Sequence, residues 1–181
     1  MFFENQKWSA DTIKNQNAIY GPLDPDALGN EVAVDDVARA TASVIAHPEK
    51  HKNMKYIVTG PELISYDDYA KVFSEILGKQ VKYVQLPYDE VEKTLIKDGT
   101  PKQYATALLQ LMKMRDKNPP NNTYVSTLHY LSIYCYYDYH DCVQLSALTI
   151  DAAVSDDFEK LTGRKGIKFR EWLKQHKDFF V

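Results

Sequence analysis

The feature that most constrains the fold is a regular alternation between β-rich segments and helix-forming segments. The segments rich in valine, isoleucine and tyrosine, which favour strands, are 18–20, 31–34, 55–59 and 81–86. Amphipathic helical periodicity lies between the later ones, over 36–46 and 65–77. This order predicts an α/β fold in which the strands near Val32 and Ile57 lie in one mostly parallel sheet, joined by a right-handed crossover.

Local signals mark where helices begin and end. Ser65 and Asp68 have the spacing of a capping box at a helix start, and Gly78 suits the left-handed residue that closes that helix. Further helices are predicted at 88–97, 101–117, 155–162 and 169–180. The chain is therefore predicted to begin as an α/β unit and to end as a group of helices.

The size and charge of the chain exclude several classes of protein. With 181 residues and a net charge of −3, it has the length of one domain and lacks the basic field typical of nucleic-acid binders. The sequence contains neither a membrane-spanning apolar run nor a signal peptide. Its 2 cysteines are too few for a disulfide framework. We therefore expect a cytoplasmic protein with no nucleic-acid and no membrane partner.

Motifs that would mark a nucleotide-dependent enzyme are absent from the sequence. None of its 7 glycines belongs to a Gly-x-Gly-x-x-Gly turn, so the sequence predicts no pyrophosphate cradle at a helix start. The Tyr-x-x-x-Lys pair that relays protons in short-chain dehydrogenases is also missing. We therefore assign no catalytic residue and leave the cofactor-binding residues unassigned.

Two groups of possible ligands have simpler explanations than a metal or an acid–base site. Residue types that bind zinc lie close together at His129, Cys135, His140 and Cys142. Neither a Cys-x-x-Cys nor a His-x-x-x-His pair occurs among them, so we predict no metal site. Asp35 and Asp36 could form a carboxylate pair, but capping of helix 36–46 explains both residues more simply.

Short segments that occur in a fixed order carry a family resemblance. They are 3–5, 20–22, 32–40, 56–62, 74–79 and 157–165. Together they resemble the C-terminal half of the NmrA-like proteins, an atypical branch of the short-chain dehydrogenase superfamily with an NAD(P)-binding Rossmann fold. The resemblance covers about residues 2–118 and 145–180, and it implies that 1–181 is the C-terminal portion of such a domain, without its N-terminal dinucleotide-binding half.

The resemblance also implies an architecture and a pocket. The chain would hold the C-terminal part of a doubly wound Rossmann-type parallel sheet plus a small, mostly helical substrate lobe. Phe3, Glu4 and Asn5 would border the substrate pocket, because the carboxyl ends of the strands border the ligand crevice in such folds. The alternative is that Phe2 and Phe3 are ordinary core residues.

Two functions follow from the resemblance. The first is that of an NmrA-like NAD(P)-dependent oxidoreductase, acting on small carbonyl or quinone compounds with NADP as cofactor. This chain lacks the nucleotide loop, so we expect it to bind NADPH weakly or not at all and to be inactive alone. The second is that of a non-catalytic NmrA-like protein that senses redox state or regulates a partner. The substrate, the preference between NADP and NAD, and the oligomeric state are not determined by the sequence.

The tyrosine content changes abruptly near the end of the chain. Of the 13 tyrosines, a dense group is formed by Tyr124, Tyr130, Tyr134, Tyr136, Tyr137 and Tyr139. The family resemblance is interrupted here, and the codons of Val125–Ser126 and Gln144 are compatible with the start and end of a spliceosomal intron. We predict that 125–144 is an insert or a retained intron. The alternative is a genuine β-hairpin or aromatic binding loop.

Overall fold

Parallel pairing organises most of the strands. The computed structural model describes residues 1–117, 132–135, 143–146 and 153–181. Its strands are β1 (Ala18–Gly21), β2 (Lys55–Ile57), β3 (Lys82–Gln85), β4 (Ser132–Cys135) and β5 (Val143–Ser146). Strands β1 and β3 pair in parallel, and so do β2 and β5, whereas β4 and β5 pair antiparallel. The predicted α/β fold with parallel strands is confirmed.

Helices surround these strands and form the end of the chain. They are α1 (Ala10–Gln16), α2 (Val34–Ala46), α3 (Tyr66–Leu77), α4 (Tyr88–Lys97), α5 (Lys102–Lys117), α6 (Asp157–Thr162) and α7 (Phe169–His176). Short 3-10 helices cover Phe3–Ser9, Pro48–Lys50 and Lys177–Phe179. The predicted group of helices in the second half is therefore present, whereas the helices before β1 have no counterpart among the predicted segments.

The ends of α3 follow the local signals in the sequence. The Ser65 hydroxyl accepts a hydrogen bond from the Asp68 amide at 3.1 Å, and the Asp68 carboxylate accepts one from the Ser65 amide at 3.3 Å. This reciprocal pair satisfies two amides that the helix itself leaves unpaired. Gly78 closes the helix with a φ of +66°, which glycine adopts without steric cost.

The segment 31–34 does not form the predicted strand. Val32 makes an isolated parallel bridge with Phe2, and α2 begins two residues later. The ladder stops after this bridge because its partner segment leaves the extended conformation and enters the 3-10 helix Phe3–Ser9. Within the part of the chain that the structure describes, the sheet that contains β2 is completed by β5 and β4, and Val32 lies outside it, so the prediction that strands near Val32 and Ile57 share one sheet is wrong.

An aromatic core joins the amino terminus to α3 and α7. The ring of Phe3 lies 5.3 Å from that of Phe169 and 6.1 Å from that of Trp172, measured between centroids. Tyr69 of α3 meets Phe169 edge-on at 4.4 Å, and Phe73 lies 5.6 Å from the same ring. Aromatic pairs in such tilted arrangements add to the stability that comes from burial alone. The amino-terminal segment and α7 therefore share one aromatic core with α3.

A second, smaller core lies beneath α2. It consists of the buried side chains Val32, Ala40, Val44, Tyr56, Val58 and Phe158. These residues come from α2 and the segment before it, from β2 and the residue after it, and from α6, so α2 packs across the β2 strand as its amphipathic pattern predicts. Among the described residues, no helix combines the length and the hydropathy that crossing a membrane requires.

The α4–α5 pair packs at one side of the aromatic core. Ala105 and Leu109 of α5 are buried, and Met112 packs against the aromatic core. Every residue of α4 is at least partly exposed in the described structure. The pair is therefore attached to the rest of the chain through one face of α5 and through the polar contacts at its end.

Candidate functional site

The predicted pocket residues open the amino-terminal 3-10 helix. Phe3 is fully buried in the aromatic core, where it packs against α7, as the core interpretation anticipated. Asn5 is partly exposed, and its amide donates to the carbonyl of Phe2 at 3.1 Å. Of the predicted pocket residues, Phe3 is therefore directed into the core, whereas Asn5 reaches the surface.

Glu4 joins two elements that are far apart in sequence. Its Oε2 accepts a hydrogen bond from the Val34 amide at 3.1 Å, and its Oε1 accepts one from the Trp172 indole at 3.0 Å. Val34 is the first residue of α2, so the carboxylate satisfies an unpaired amide and lies at the positive end of the helix dipole. Both oxygens of Glu4 are thus engaged in holding α2 and α7 to the amino terminus.

The predicted capping role of Asp35 and Asp36 is wrong. The residue before α2 is Ala33, whose side chain has no acceptor, and the Val34 amide is bound by Glu4 instead. Asp36 lies inside the first turn, where its carboxylate accepts a hydrogen bond from the Ile167 amide at 2.6 Å. Asp36 points inward because the chain before α7 lies against this face of the helix.

A buried ion pair lies on the other side of the amino-terminal segment. Nη1 of Arg115 lies 2.8 Å from Oε1 of Glu31, and the two side chains are 12% and 2% exposed respectively. The Arg115 guanidinium also donates to the Leu28 carbonyl at 3.2 Å and approaches Sδ of Met1 at 3.4 Å. Each of these buried charges stabilises the other, because removing one would leave the other buried without a compensating charge.

Two tyrosines of α3 complete this group, which we call the Glu31–Arg115 cluster (Glu31, Tyr66, Tyr69 and Arg115). The Arg115 guanidinium lies over the Tyr66 ring, 5.9 Å from its centroid, in cation–π geometry. Burial raises the pKa of the Tyr66 hydroxyl to about 12. Burial also raises the pKa of Tyr69 far above its usual range, and the nearby Glu31 carboxylate adds to that effect. Both hydroxyls therefore keep their protons at neutral pH and act as neutral hydrogen-bonding groups.

The cluster contains polar atoms that the described residues leave without a partner. They are Oε2 of Glu31, the hydroxyl oxygen of Tyr69 and Nη2 of Arg115, and each is buried. Native proteins pair nearly all such atoms, because an unpaired buried polar group costs about 1–3 kcal/mol. Because these atoms are gathered in one place, the Glu31–Arg115 cluster is the strongest candidate for a site among the described residues.

The backbone at Gly29 closes one side of the cluster. A Cβ atom at this position would lie 1.9 Å from Nη2 of Arg115 and 2.4 Å from Oε2 of Glu31. Both unpaired atoms thus lie directly against the Gly29 backbone, and a side chain here would displace them. Because glycine has no side chain, the Glu31 carboxylate and the Arg115 guanidinium can occupy the space beside residue 29.

Further tyrosines continue the cluster towards α4. Tyr66 stacks on Tyr83 with centroids 4.7 Å apart and planes inclined by 27°, and the Tyr83 hydroxyl donates to the Leu23 carbonyl at 2.8 Å. The Tyr88 hydroxyl donates to Asp116, whose other oxygen accepts from the Asp24 amide at 3.1 Å. Burial raises the pKa of both Tyr83 and Tyr88. The last turn of α5 is therefore attached to the rest of the protein by the polar contacts of two adjacent residues of opposite charge, Arg115 and Asp116.

Glu31 and Arg115 are not among the site residues predicted from the sequence. A signal was present, since Glu31 is a charged residue inside a run expected to be buried, and such residues need a partner. The identity of that partner could not be read from the sequence, because Arg115 lies 84 positions away. The potential zinc ligands His129, Cys135, His140 and Cys142 lie outside the residues whose side chains are described.

Two surface cavities lie away from this cluster. One, of about 240 Å³, is lined by Thr59, Ser155, Asp156, Glu159, Lys165 and Gly166, at the turn between α6 and α7. The other, of about 150 Å³, lies between α4 and α5. None of the buried polar atoms that lack a partner among the described residues lies in either cavity.

The described residues do not fit the pyrophosphate of a dinucleotide. Glycines with positive φ occur at Gly78, Gly99 and Gly163, and each follows the end of a helix. A pyrophosphate is bound where a glycine-rich turn leads from a strand into the start of a helix, with the amides directed at the anion. In the described ranges, no glycine turn has that position.

Comparisons with known proteins agree on one family. A model of the NmrA-like family matches residues 3–173. The chain is 29% identical over 100 residues to agroclavine dehydrogenase of Claviceps fusiformis, which covers 55% of this chain and 34% of that protein. It is 25% identical over 175 residues to an NAD(P)H azoreductase of Xenophilus azovorans, covering 97% of this chain and 50% of that protein. The chain thus spans between a third and a half of the length of these curated relatives.

A solved structure shares the fold. The NADPH-dependent quinone oxidoreductase of Escherichia coli superposes with a TM-score of 0.69 at 18% identity, over 98% of this chain and 52% of that one. This likeness extends across nearly the whole chain and supports the α/β architecture described above.

Proposed function

The chain belongs to the NmrA-like family, and we propose that it forms the substrate-binding part of an NAD(P)-dependent oxidoreductase that acts on small carbonyl or quinone compounds. The relatives in support are a clavine dehydrogenase, an azoreductase and, by fold, a quinone oxidoreductase. All three are named for oxidation or reduction reactions, which supports the proposed class of reaction. NADP is the cofactor proposed for the whole enzyme.

The observation that carries the proposal is the set of unpaired polar atoms in the Glu31–Arg115 cluster. The Tyr69 hydroxyl and the Arg115 guanidinium are hydrogen-bond donors, and a carbonyl oxygen accepts such bonds. Donors already held in place stabilise the charge that develops on a carbonyl oxygen as it is reduced. The cluster thus supplies what the oxygen of a carbonyl or quinone compound requires.

The proposed pocket includes the amino-terminal residues Phe3, Glu4 and Asn5. Met1 connects this segment to the cluster, since its carbonyl accepts from the Val32 amide at 3.3 Å while its sulfur approaches Arg115. We propose that the segment borders the pocket, with Glu4 fixing its position and Met1 lying between it and the guanidinium.

We further propose that the chain corresponds to the C-terminal portion of the family domain and binds NADPH weakly or not at all alone. Support comes from the absent glycine-rich motif and from the share of the relatives that the chain covers. Titration of NADPH fluorescence against the purified chain tests this proposal directly. Micromolar binding would contradict it.

The oxidoreductase proposal is tested by joining the chain to the N-terminal half of a related family member. We expect the fusion to oxidise NADPH in the presence of a small quinone, and Tyr69→Phe to lower kcat at least tenfold. Tyr20→Phe is the matched control, because its exposed hydroxyl bonds only to Gln16 within the described structure. A fusion that binds NADPH but turns over no carbonyl or quinone compound would contradict the proposal.

A second candidate function is a non-catalytic NmrA-like sensor or regulator. The observation that favours it is the missing Tyr-x-x-x-Lys pair. The same fusion separates the two candidates, because a sensor binds the nucleotide without turnover. The tested quinones must then include both small and polycyclic members, so that a lack of turnover does not reflect the choice of substrate.

A further inference from the structure

We propose that the larger of the two surface cavities, which we call the α6–α7 cavity, binds a free α-amino acid with an aliphatic side chain. The cavity measures about 240 Å³. Pockets for drug-sized ligands measure roughly 300–1,000 Å³, so this one suits a smaller molecule. It shares no residue with the Glu31–Arg115 cluster, and the proposal does not depend on the proposed oxidoreductase function.

Two side chains of opposite charge line the α6–α7 cavity without a partner. Among the described residues, neither the Glu159 carboxylate nor the Lys165 ammonium group makes a hydrogen bond or an ion pair, and they do not pair with each other. The remaining charged residue of the lining, Asp156, already pairs with Lys160 at 2.6 Å. An α-amino acid carries one positive and one negative group, so it matches both unpartnered side chains, whereas a singly charged ligand matches one of them.

The turn after α6 brings these two charges to the same cavity. Gly163 ends the helix with a φ of +71°, and its amide donates to the Glu159 carbonyl at 2.8 Å. The chain then turns back, and the Ile167 amide is held by the Asp36 carboxylate at 2.6 Å. The turn that carries Lys165 is therefore attached to α2 at one end and to α6 at the other.

The opposite wall of the cavity is fixed by a chain of hydrogen bonds. The Thr59 hydroxyl donates to the Gly60 carbonyl at 3.0 Å and accepts from the Ser155 amide at 2.9 Å. The Ser155 hydroxyl in turn accepts from the Asp157 amide at 3.1 Å, which leaves its proton to donate to a ligand carboxylate. Both walls are thus ordered before a ligand binds, and this lowers the entropic cost of binding.

Apolar residues supply the surface for an aliphatic side chain. The cavity is also lined by Pro61, Val154 and Phe158. Phe158 is buried, whereas Val154 is 45% exposed. A ligand side chain that covers Val154 removes apolar surface from water, which favours binding. The cavity therefore combines one carboxylate, one ammonium group and an apolar wall, the complement of an aliphatic amino acid.

Binding of three matched probes to the full chain tests the proposal. L-Leucine carries both charges, 4-methylpentanoate lacks its amino group, and 3-methylbutylamine lacks its carboxylate. Amide chemical shifts of the isotope-labelled chain give the affinity of each probe and the place where it binds. We expect leucine to bind about threefold to fivefold more tightly than either analogue, the upper part of the range for a partly exposed ion pair. The largest shifts should lie at Lys165 and Gly166.

Variants assign each end of the ligand to one side chain. Glu159→Gln should abolish the preference for leucine over 4-methylpentanoate and keep the preference over 3-methylbutylamine. Lys165→Gln should have the reverse effect. Glu90→Gln and Lys97→Gln are the matched controls, because both residues are exposed on α4 and lie outside the α6–α7 cavity, and they should leave both preferences unchanged.

The spectrum of each variant first shows whether its fold is retained. Equal affinities for the three probes, no binding of leucine, or shifts confined to residues outside the α6–α7 cavity would each overturn the proposal. Folded Glu159→Gln and Lys165→Gln variants with the wild-type preferences would overturn it as well. None of these measurements requires NADPH or turnover, so their outcome is independent of the test of the oxidoreductase function.

Discussion

Several carboxylates accept hydrogen bonds from backbone amides that are far away in sequence. Glu4 binds the Val34 amide, Asp36 binds the Ile167 amide, and Asp157 binds the Ile57 amide at 2.8 Å. A carboxylate that accepts an amide hydrogen bond in a partly buried site forms a stronger bond than a neutral acceptor does. At the scale of single residues, acidic side chains therefore hold together loops and helix ends that apolar packing alone would leave loose.

Removing Glu4 should destabilise the protein measurably. Glu4→Ala leaves the Val34 amide and the Trp172 indole without their acceptor, and we expect the free energy of unfolding to fall by about 1–3 kcal/mol. Urea denaturation followed by tryptophan fluorescence measures the change. Glu49→Ala is the control, because Glu49 is exposed and its described ionic partner is the exposed His47 at 4.0 Å. A Glu4→Ala variant as stable as this control would contradict the assigned role.

Asp36 should make stability depend on pH in the acidic range. Burial is the main cause that raises the pKa of Asp36 above its ordinary value, and the Ile167 amide and Arg39 oppose it. The folded state therefore binds the Asp36 proton more tightly than the unfolded state does. This contribution to stability is complete below the ordinary aspartate pKa, about 3.9, and is lost as pH rises through the raised pKa.

The variant Asp36→Asn should remove the pH-dependent contribution of Asp36 to the free energy of unfolding. We expect its free energy of unfolding to vary less with pH over this window than that of the wild type, because asparagine does not titrate. Urea denaturation at a series of pH values between about 3.5 and 7 measures both profiles. Asp98→Asn is the control, since the Asp98 side chain is exposed and lies at the end of α4, on a different element from Asp36. Identical pH profiles for Asp36→Asn and the wild type would refute the prediction.

At the scale of elements, helix ends depend on two kinds of cap. The start of α3 is capped by Ser65, a neighbour in sequence, whereas the start of α2 is capped by Glu4, 30 positions away. Both caps satisfy an amide that the helix leaves unpaired. Only the first follows from a local motif, so α2 relies on correct folding of the amino-terminal segment.

Loss of the local cap should weaken α3. Ser65→Ala removes the acceptor of the Asp68 amide, and we expect a cost of about 1 kcal/mol in the free energy of unfolding. Ser9→Ala is a matched control, because Ser9 precedes α1 without a described cap from its side chain. Thermal denaturation monitored by circular dichroism compares the two. Equal effects of both substitutions would show that the capping box contributes nothing at Ser65.

At the scale of the whole molecule, the aromatic core connects the two ends of the chain. Phe169 of α7 touches Phe3, Tyr69, Phe73 and Trp172. Its buried position between the amino-terminal segment and α3 means that neither end can detach without exposing aromatic surface. Cooperative unfolding of the described parts is the expected consequence.

Truncating Phe169 tests this cooperativity. Phe169→Ala should lower the free energy of unfolding by about 3–5 kcal/mol, which is typical of a deleted buried ring. Phe179→Ala, at a ring that is 51% exposed, should cost far less. Far-ultraviolet circular dichroism and tryptophan fluorescence should report the same urea midpoint for the wild type. Separate midpoints would show that α7 unfolds independently of the body.

The origin of residues 125–144 stays a prediction. Strand β4 and the start of β5 fall in this range, and they pair antiparallel. The genomic codons of Val125–Ser126 test the retained-intron hypothesis, because any codons other than those of a splice donor rule it out. A matching splice donor with reads that skip the segment would support it.

Much of the architecture was predictable because it depends on neighbours in sequence. The parallel α/β character and the capping box of α3 follow from periodicity and from side chains a few positions apart. The segment 31–34 was mispredicted as a strand, because its β propensity was satisfied by a single bridge to Phe2. Strand propensity describes how side chains fit a sheet, and it does not supply a partner strand.

By itself, the sequence determined the alternation of elements, the ends of α3 and the family resemblance, since these rest on local chemistry and on the order of short motifs. Only the tertiary structure decided that Asp36 binds Ile167, 131 positions away, and that Glu31 meets Arg115, 84 positions away. The physical reason is that a buried charge is stable only beside its partner. Which partner reaches it depends on how α2, α5 and the chain before α7 pack in space.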